Sequence, residues 1–470
     1  MKTKNIIGIS AAAAGALALA PSALAADWTS DTAKFWGSMG WYETGDPSAT
    51  GVPQPGDNVT INVKPDFPMG FDGAWQGTTK YVNNATFNVV AGYNWLACQV
   101  YQSNTVFDVR GDFTLKSGVE STRQELFGIY NREANYEPKL AVKVGGNMSL
   151  SSLTSVEIST TTTNTALFGV STYGGSAQPQ DKSMLSFFTV AGNVALNNKA
   201  IGIATVGGQN ANIGGVVSFS SAKDTFWGNV GYDDASTVEV QNISVGGLSS
   251  ADGVGRIMNY LPDGSAKSSV ITIADFAEKA EGAGAGGTYG GSISTAVGIV
   301  MDYGGAVQKI IGENTYTGDT VVKNGRLITS GNANSAVILQ GGSFGVEGGT
   351  VKSLDMSAGG GLFFDLSGTF EITVSDAIAF DAATFLESLS FAGIKAGSFE
   401  LISASEAVFA DFDGATASYS DENGGAPWEA EFSSLDGKTL SVSFVPEPGT
   451  CAALFGLAAA ALALGRRRRN

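Results

Sequence analysis

The chain of 470 residues holds 63 glycines, two cysteines and no histidine, carries a formal net charge of −17, and has only 15% charged side chains, against about 25% in an average domain. Without histidine there is no Ser-His-Asp triad, Cys-His pair or histidine-ligated metal, and two cysteines cannot build a disulfide framework or a four-thiolate zinc site. The acid excess argues against nucleic acid, and the apolar content argues against a disordered chain.

Lys2 and Lys4 precede an apolar run from Ile6 to Ala20, followed by Pro21-Ser22-Ala23-Leu24-Ala25. This is the pattern of a secretory signal peptide, with Ala23 and Ala25 in the small-residue cleavage positions. Residues 1–25 are therefore expected to be removed by signal peptidase, so that the mature chain starts at Ala26. Five of the seven tryptophans precede residue 100, among them Trp28, Trp36 and Trp41, and Pro53-Gln-Pro55-Gly56-Asp57-Asn58-Val59 follows. Residues 26–105 are expected to form a Trp-rich β cap and the first turns of a strand array. A sugar-stacking platform is the alternative use of the tryptophans. Cys98 alternates with apolar neighbours in Trp95–Val100 and is expected to be buried.

From residue 106 onward the dominant signal is alternation at period two, interrupted by Gly, Asn and Ser. Phe107-Asp-Val109-Arg-Gly111-Asp-Phe113-Thr-Leu115 recurs as Val142-Lys-Val144-Gly-Gly146-Asn-Met148-Ser-Leu150 and as Phe188-Thr-Val190-Ala-Gly192-Asn-Val194-Ala-Leu196, and degenerates at Val238-Glu-Val240-Gln-Asn242. Each copy reads as two short strands hinged at Gly-Asn or Gly-Asp, with one apolar face. A second element follows each copy, at Leu126–Tyr130, Leu167–Val170, Ile201–Thr205, Arg256–Tyr260 and Val297–Met301. Short strands that cannot bury a face alone must stack on their neighbours. The expected fold class is all-β: a parallel β-helix over residues 106–360 with N- and C-terminal β caps. A set of antiparallel sandwiches is the competing arrangement. Helical periodicity is confined to three short segments, 121–126, 273–283 and 380–387.

Ile310-Ile-Gly-Glu-Asn314-Thr315-Tyr316-Thr317-Gly318-Asp-Thr320-Val-Val-Lys-Asn324-Gly325-Arg-Leu327 resembles the autotransporter-associated β-strand repeat. The resemblance covers about 18 residues and implies turns of a passenger-type β-helix. Tyr316 is expected to be buried, Gly318 and Gly325 to make corners, Asn314 and Thr317 to lie at a corner, and Val321 and Leu327 to point inward. The Trp-rich opening likewise resembles segments that lead into β-helices. Residues 361–445 alternate again, as in Phe370–Val374, Phe399–Ile402 and Thr439–Phe444, and read as the last turns and a C-terminal β cap.

No catalytic constellation emerges. Gly341-Gly-Ser343-Phe-Gly345 matches a nucleophile elbow by letter but has no histidine partner, so it reads as a corner. Gly282-Ala-Gly284-Ala-Gly286-Gly287 lacks the surrounding strand–helix–strand unit of a dinucleotide site and reads as an insertion loop. Asp233-Asp234 reads as a solvated turn, since glycoside hydrolysis needs two carboxyls at a defined separation on one face. Asp411-Phe-Asp413-Gly414 lacks the continuing ligand spacing of a calcium loop. The Asn-x-Ser/Thr triplets at Asn58, Asn84, Asn147 and Asn242 read as incidental. No cofactor and no metal site are expected.

The chain ends in Val445-Pro446-Glu447-Pro448-Gly449-Thr450, an apolar run from Cys451 to Leu464, and Arg466, Arg467, Arg468 and Arg469. Fourteen apolar residues rise about 21 Å as a helix, short of a hydrocarbon core of roughly 30 Å, but the arginines form a strong cytoplasmic stop. A short C-terminal hydrophobic helix is expected here. The order Pro-Glu-Pro, apolar run, Arg cluster resembles the PEP-CTERM sorting signal of bacterial surface proteins, over residues 446–470. That resemblance implies recognition and removal by an exosortase-type membrane enzyme. Without Lys2, Lys4 and the four tail arginines, residues 26–465 carry a charge of about −23, which favours solubility over anionic membranes.

The chain is thus expected to be an exported, non-enzymatic surface or extracellular-matrix protein, anchored only transiently through its tail. Its expected partners are signal peptidase, an exosortase-type enzyme and extracellular polysaccharide, with no nucleic acid. The competing readings are a β-helix carbohydrate-active enzyme and a sugar-binding surface module.

Overall fold

The computed structural model describes residues 26–30, 41–51, 53–63, 69–71, 80–89, 97–100, 106–117, 124–131, 141–155, 165–171, 187–199, 201–205, 211–220, 225–229, 241–257 and 269–446. Regular structure among them is strand, apart from two one-turn 3-10 segments at Leu386–Ser388 and Ala410–Phe412. Most strands pair in parallel with a strand one repeat away, so the chain visits three stacks in a fixed order.

One stack runs through Asn58–Val63, Ala85–Val89, Phe113–Ser117, Met148–Ser155 and Val194–Lys199. A second runs through Lys80–Val82, Val106–Val109, Ala141–Val144 and Phe187–Val190. The third is a separate sheet of eight parallel strands from Met69–Phe71 to Ser292–Ile293. An isolated bridge from Ile293 to Asn314 carries that third line on towards Asn332, Val351 and Val374. The ladder is continuous through residues 105 and 360: Val106–Val109 pairs back onto Lys80–Val82, and Ser343 pairs forward onto Gly361. The all-β expectation holds, and the mostly parallel pairing is compatible with a β-helix.

Period two explains the core. Strand side chains alternate faces, and the registers align like positions from turn to turn. Phe87, Leu115, Leu150 and Leu196 form one inward column, and Ala85, Phe113, Met148 and Val194 form the next. All eight are fully buried, and the Phe87 and Phe113 rings lie 5.5 Å apart. Burying one such large side chain is worth about 1.5–3 kcal/mol, so the interior is a line of neighbour contacts.

The Gly-Asn and Gly-Asp hinges form a polar ladder outside this core. Asn58 Oδ1 accepts from Asn84 N and Nδ2 at 3.1 and 2.9 Å, and Asn84 Oδ1 from Asp112 N at 2.7 Å. Asp112 Oδ1 accepts from Asn147 N at 2.7 Å and Asn147 Oδ1 from Asn193 N at 2.9 Å. Each side chain therefore satisfies a backbone donor at the next corner. At Asp112, Asn147 and Asn193 the preceding residue is glycine, because the turns approach closely there: a Cβ on Gly146 would lie 2.3 Å from Asp112 Oδ1 and 2.8 Å from the Gly111 carbonyl oxygen.

Several local expectations are corrected. Residues 124–126 open the strand Gln124–Asn131, and Ile273 and Ala274 end the strand Ser269–Ala274. The following loop makes only single turns of its own, Lys279 N donating to Phe276 O and Ala283 N to Ala280 O. Ala280 N donates to Ala191 O, Gly284 N to Asn193 Oδ1 and Gly286 N to Gly246 O, which lays it across two earlier corners, at 191–193 and at 246. In 380–387 only the 3-10 turn at Leu386–Ser388 begins; Phe385 instead joins Phe380, Phe409 and Phe412 in an aromatic cluster. Isolated short helices are marginal, and strand pairing and ring packing outweigh them here. Val297–Met301 belongs to the long strand Val297–Ile310, which pairs with Ser269–Ala274 and not with the eight-stranded sheet. Val238–Val240 lies outside the described residues; the strand is Gln241–Ser249, with Ile243 and Val245 buried. A further copy, Ala211–Phe219, turns on Gly214-Gly215 and has no Asn after its glycines, which is why the hinge motif does not find it.

At the repeat around Tyr316, that ring is buried as expected, and Thr317 is exposed and donates its N–H to Thr295 O. Val321 faces partly outward, alternating with buried Thr320 and Val322, and Leu327 is also buried because the ladder shifts register after Met301–Val322.

Both ends turn antiparallel. Asp27–Ser30 lies parallel on Asn58–Val63 and antiparallel to Trp41–Glu43, which pairs with Asp46–Gly51. At the other end Gly397–Ala404, Thr439–Pro446, Trp428–Ser433 and Thr416–Tyr419 form an antiparallel set. Arg326 ties this cap to the stack: its guanidinium holds Glu422 with two bonds of 2.7 and 2.6 Å and lies 3.8 Å over the Phe363 ring.

Candidate sorting tail and polar surface

The last strand leads straight into the tail. Phe444 is buried, with its ring 5.1 Å from that of Phe391. Val445 pairs with Glu429 and is half exposed, and Pro446 pairs with Trp428 as the final strand residue. Proline has no N–H to extend a ladder, which fits its place at a strand end. The tail thus begins two residues after the core closes. Glu447, Pro448, the apolar run 451–464, Arg466, Arg467, Arg468 and Arg469 lie outside the described residues, as do Ala23 and Ala25. Among the described residues, no helix is long and apolar enough to cross a membrane.

The motifs weighed for chemistry are largely occupied by the fold. Ser343 sits in the strand Ser343–Val346, and its Oγ accepts from Arg326 Nε at 2.9 Å. No strand-to-helix elbow forms there. Asp413 Oδ1 accepts from Ser434 N at 3.0 Å, which ties the residues before Thr416–Tyr419 to the end of Trp428–Ser433. Asn58, Asn84 and Asn147, three of the Asn-x-Ser/Thr positions, are members of the corner ladder. Asp233-Asp234, Trp36 and the side chains of Trp41 and Cys98 lie outside what is described. Trp28 is half-buried and donates Nε1 to Asp57 Oδ2 at 2.8 Å, so this tryptophan is engaged with the cap. Sequence reasoning missed Asp57 as the residue that organises the opening; its signal is the Gly56-Asp57 turn, where Gly56 has φ +98°.

The carboxylates follow two patterns. Asp46 and Asp355 are held below the usual range by the hydroxyls of Ser48 and Ser357, whose backbone N–H groups add to the effect. Glu371 moves the other way: partial burial pushes it up, and the neighbouring Glu400 carboxylate adds to this. A carboxyl raised in the folded state stabilises the fold below its ordinary value of 4.5 and loses that contribution as pH rises through the raised value. Glu371→Gln is therefore expected to raise the melting temperature at pH 7 and leave it nearly unchanged at pH 3.5. Circular dichroism melts at the two pH values check this; an equal or lower melting temperature at pH 7 would contradict it.

No curated protein and no solved structure matches the chain. Residues 444–469 match the family described as the PEP-CTERM protein-sorting motif, the motif of exosortase-targeted surface proteins.

Proposed function

We propose that this is an exported, non-enzymatic β-helix protein, sorted and processed through its tail and displayed at the cell envelope or in the extracellular matrix. The observation that carries the reading is the sorting motif at residues 444–469 joined directly to the last strand of a closed cap. Removing the tail after Pro446 would leave that cap paired. The three strand stacks support the β-helix, because successive strands of each pair in parallel and the chain passes from one stack to the next in constant order. The residues resembling an autotransporter-associated repeat, 310–327, span about one of these turns, since Ile310 pairs with Thr329 one turn on. The surface corners are built from Asn, Asp and Gly, and with the acidic body they suit a solvated matrix protein.

Deleting Pro446 to Asn470 is expected to give a folded protein released to the medium instead of retained at the surface. Cell fractionation with immunodetection checks it; a truncated protein that stays attached like the full chain would overturn the tail as the anchor. The carbohydrate-active alternative has one specific foothold, the Glu371–Glu400 carboxylate pair. Polysaccharide cleavage by the purified mature chain that is lost in Glu371→Gln would favour it over the structural reading.

A further inference from the structure

Three donors from the opening residues converge on one carboxylate. Asp57 Oδ1 accepts from Ala26 N at 3.0 Å, while Oδ2 accepts from Trp28 Nε1 at 2.8 Å and from Gln54 N at 2.7 Å. Ala26 is held from its other side as well, since its carbonyl accepts from Asn58 N at 2.8 Å, and Asn58 Nδ2 donates to Asp27 Oδ1 at 2.7 Å. The Trp28 ring rests on Gly51 so closely that a Cβ there would fall 2.5 Å from it. Ala26 is the residue that follows Ala23-Leu24-Ala25.

We propose that Asp57 is the docking site for the chain's own processed N-terminus. Signal peptidase hydrolyses the Ala25–Ala26 peptide bond: water supplies the hydroxyl of the new Ala25 carboxyl, and the Ala26 nitrogen leaves as an α-ammonium. A neutral amide donor facing Asp57 thereby becomes a cation, and charge-assisted hydrogen bonds are roughly twice as strong as neutral ones. The first strand, Asp27–Ser30, is then held more strongly at its start after processing than in the precursor, where the same nitrogen donates to Asp57 as a neutral amide. The inference rests on the export reading and on cleavage after Ala25.

The test uses mature protein recovered from an exporting host. Intact mass is expected to show a start at Ala26; an exported chain starting elsewhere overturns the docking site while leaving export intact, whereas a retained precursor carrying residues 1–25 overturns export itself. Labelling of the α-amine near neutral pH is then compared in the mature protein, in Asp57→Asn and in Trp28→Phe. The α-amine, which reacts only in its unprotonated form, should label about threefold more slowly in the mature protein, where Asp57 favours the ammonium, than in Asp57→Asn, the size a surface ion pair gives. Trp28→Phe, which keeps the carboxylate and loses the indole donor, should stay slow. Equal rates with Asp57→Asn, or a Trp28→Phe protein as fast as Asp57→Asn, would overturn the pairing.

Discussion

Replacing Tyr316 by alanine is expected to destabilise the protein by about 3–5 kcal/mol, the range for truncating a buried aromatic. The ring is 1% exposed and among the largest buried side chains. Burial pushes its hydroxyl well above the ordinary phenol value, so that group must be bonded internally. It meets Thr320 Oγ1 at 2.8 Å, Thr320 meets Ser335 Oγ at 2.9 Å, and Ser335 donates to Gly318 O at 2.9 Å. Asn332 Nδ2 also donates to the Tyr316 carbonyl at 2.6 Å, linking the next turn. Tyr316→Phe keeps the ring and removes one end of the hydroxyl chain, while Thr320 and Ser335 still satisfy each other. Its cost should be about 1 kcal/mol, the net worth of one hydrogen bond. Chemical denaturation of the three proteins checks the order; alanine and phenylalanine variants of equal stability would contradict it.

Gly146→Ala should cost about 3 kcal/mol, at the upper end for overpacking. The reason is the corner itself. The added Cβ would meet Asp112 Oδ1 at 2.3 Å and the Gly111 carbonyl carbon and oxygen at 2.8 Å. Two of these three atoms are backbone, which cannot swing aside. Moving Asp112 would also release Asn147 N, its ladder donor. A contrasting control is Gly45→Ala, where nothing lies within 4 Å and only the positive φ of +97° is strained. Thermal melts should rank Gly146→Ala well below Gly45→Ala; a Gly146 variant as stable as the parent would contradict the close stacking of corners.

Much of the fold was legible because it follows from period two and from backbone satisfaction. The alternation in Phe107–Leu115 names the buried faces, since consecutive strand residues cannot share a side. The Gly-Asn pairs mark corners, since a donor at each turn needs an acceptor from its neighbour. The Ala211–Phe219 turn escaped because Gly214-Gly215 makes its corner without the asparagine. Its donor is met from the previous turn, where Asn193 Oδ1 accepts from Val216 N at 2.9 Å. The parity at Val321 was misplaced because it was set to match Leu327, and the register shift between Val322 and Asn324, which puts the two on different faces, is a property of pairing. The sorting tail was legible from order and position, Pro-Glu-Pro to arginines. Asp57 was not singled out, because its three donors come from Ala26, Trp28 and Gln54, up to 31 residues away, and only folding brings them together.

The central structural claim is that the body is one stack in which each turn is held mainly by its neighbours. Native-state hydrogen exchange of Tyr316→Ala against the parent protein tests it most directly. In such a stack stability is a sum of local and neighbour contributions, so exchange should quicken in the turns from Val297 to Val351 and stay slow at Phe113–Ser117 and Met148–Ser155. Uniformly faster exchange along the whole chain, or no change around Tyr316, would contradict the account.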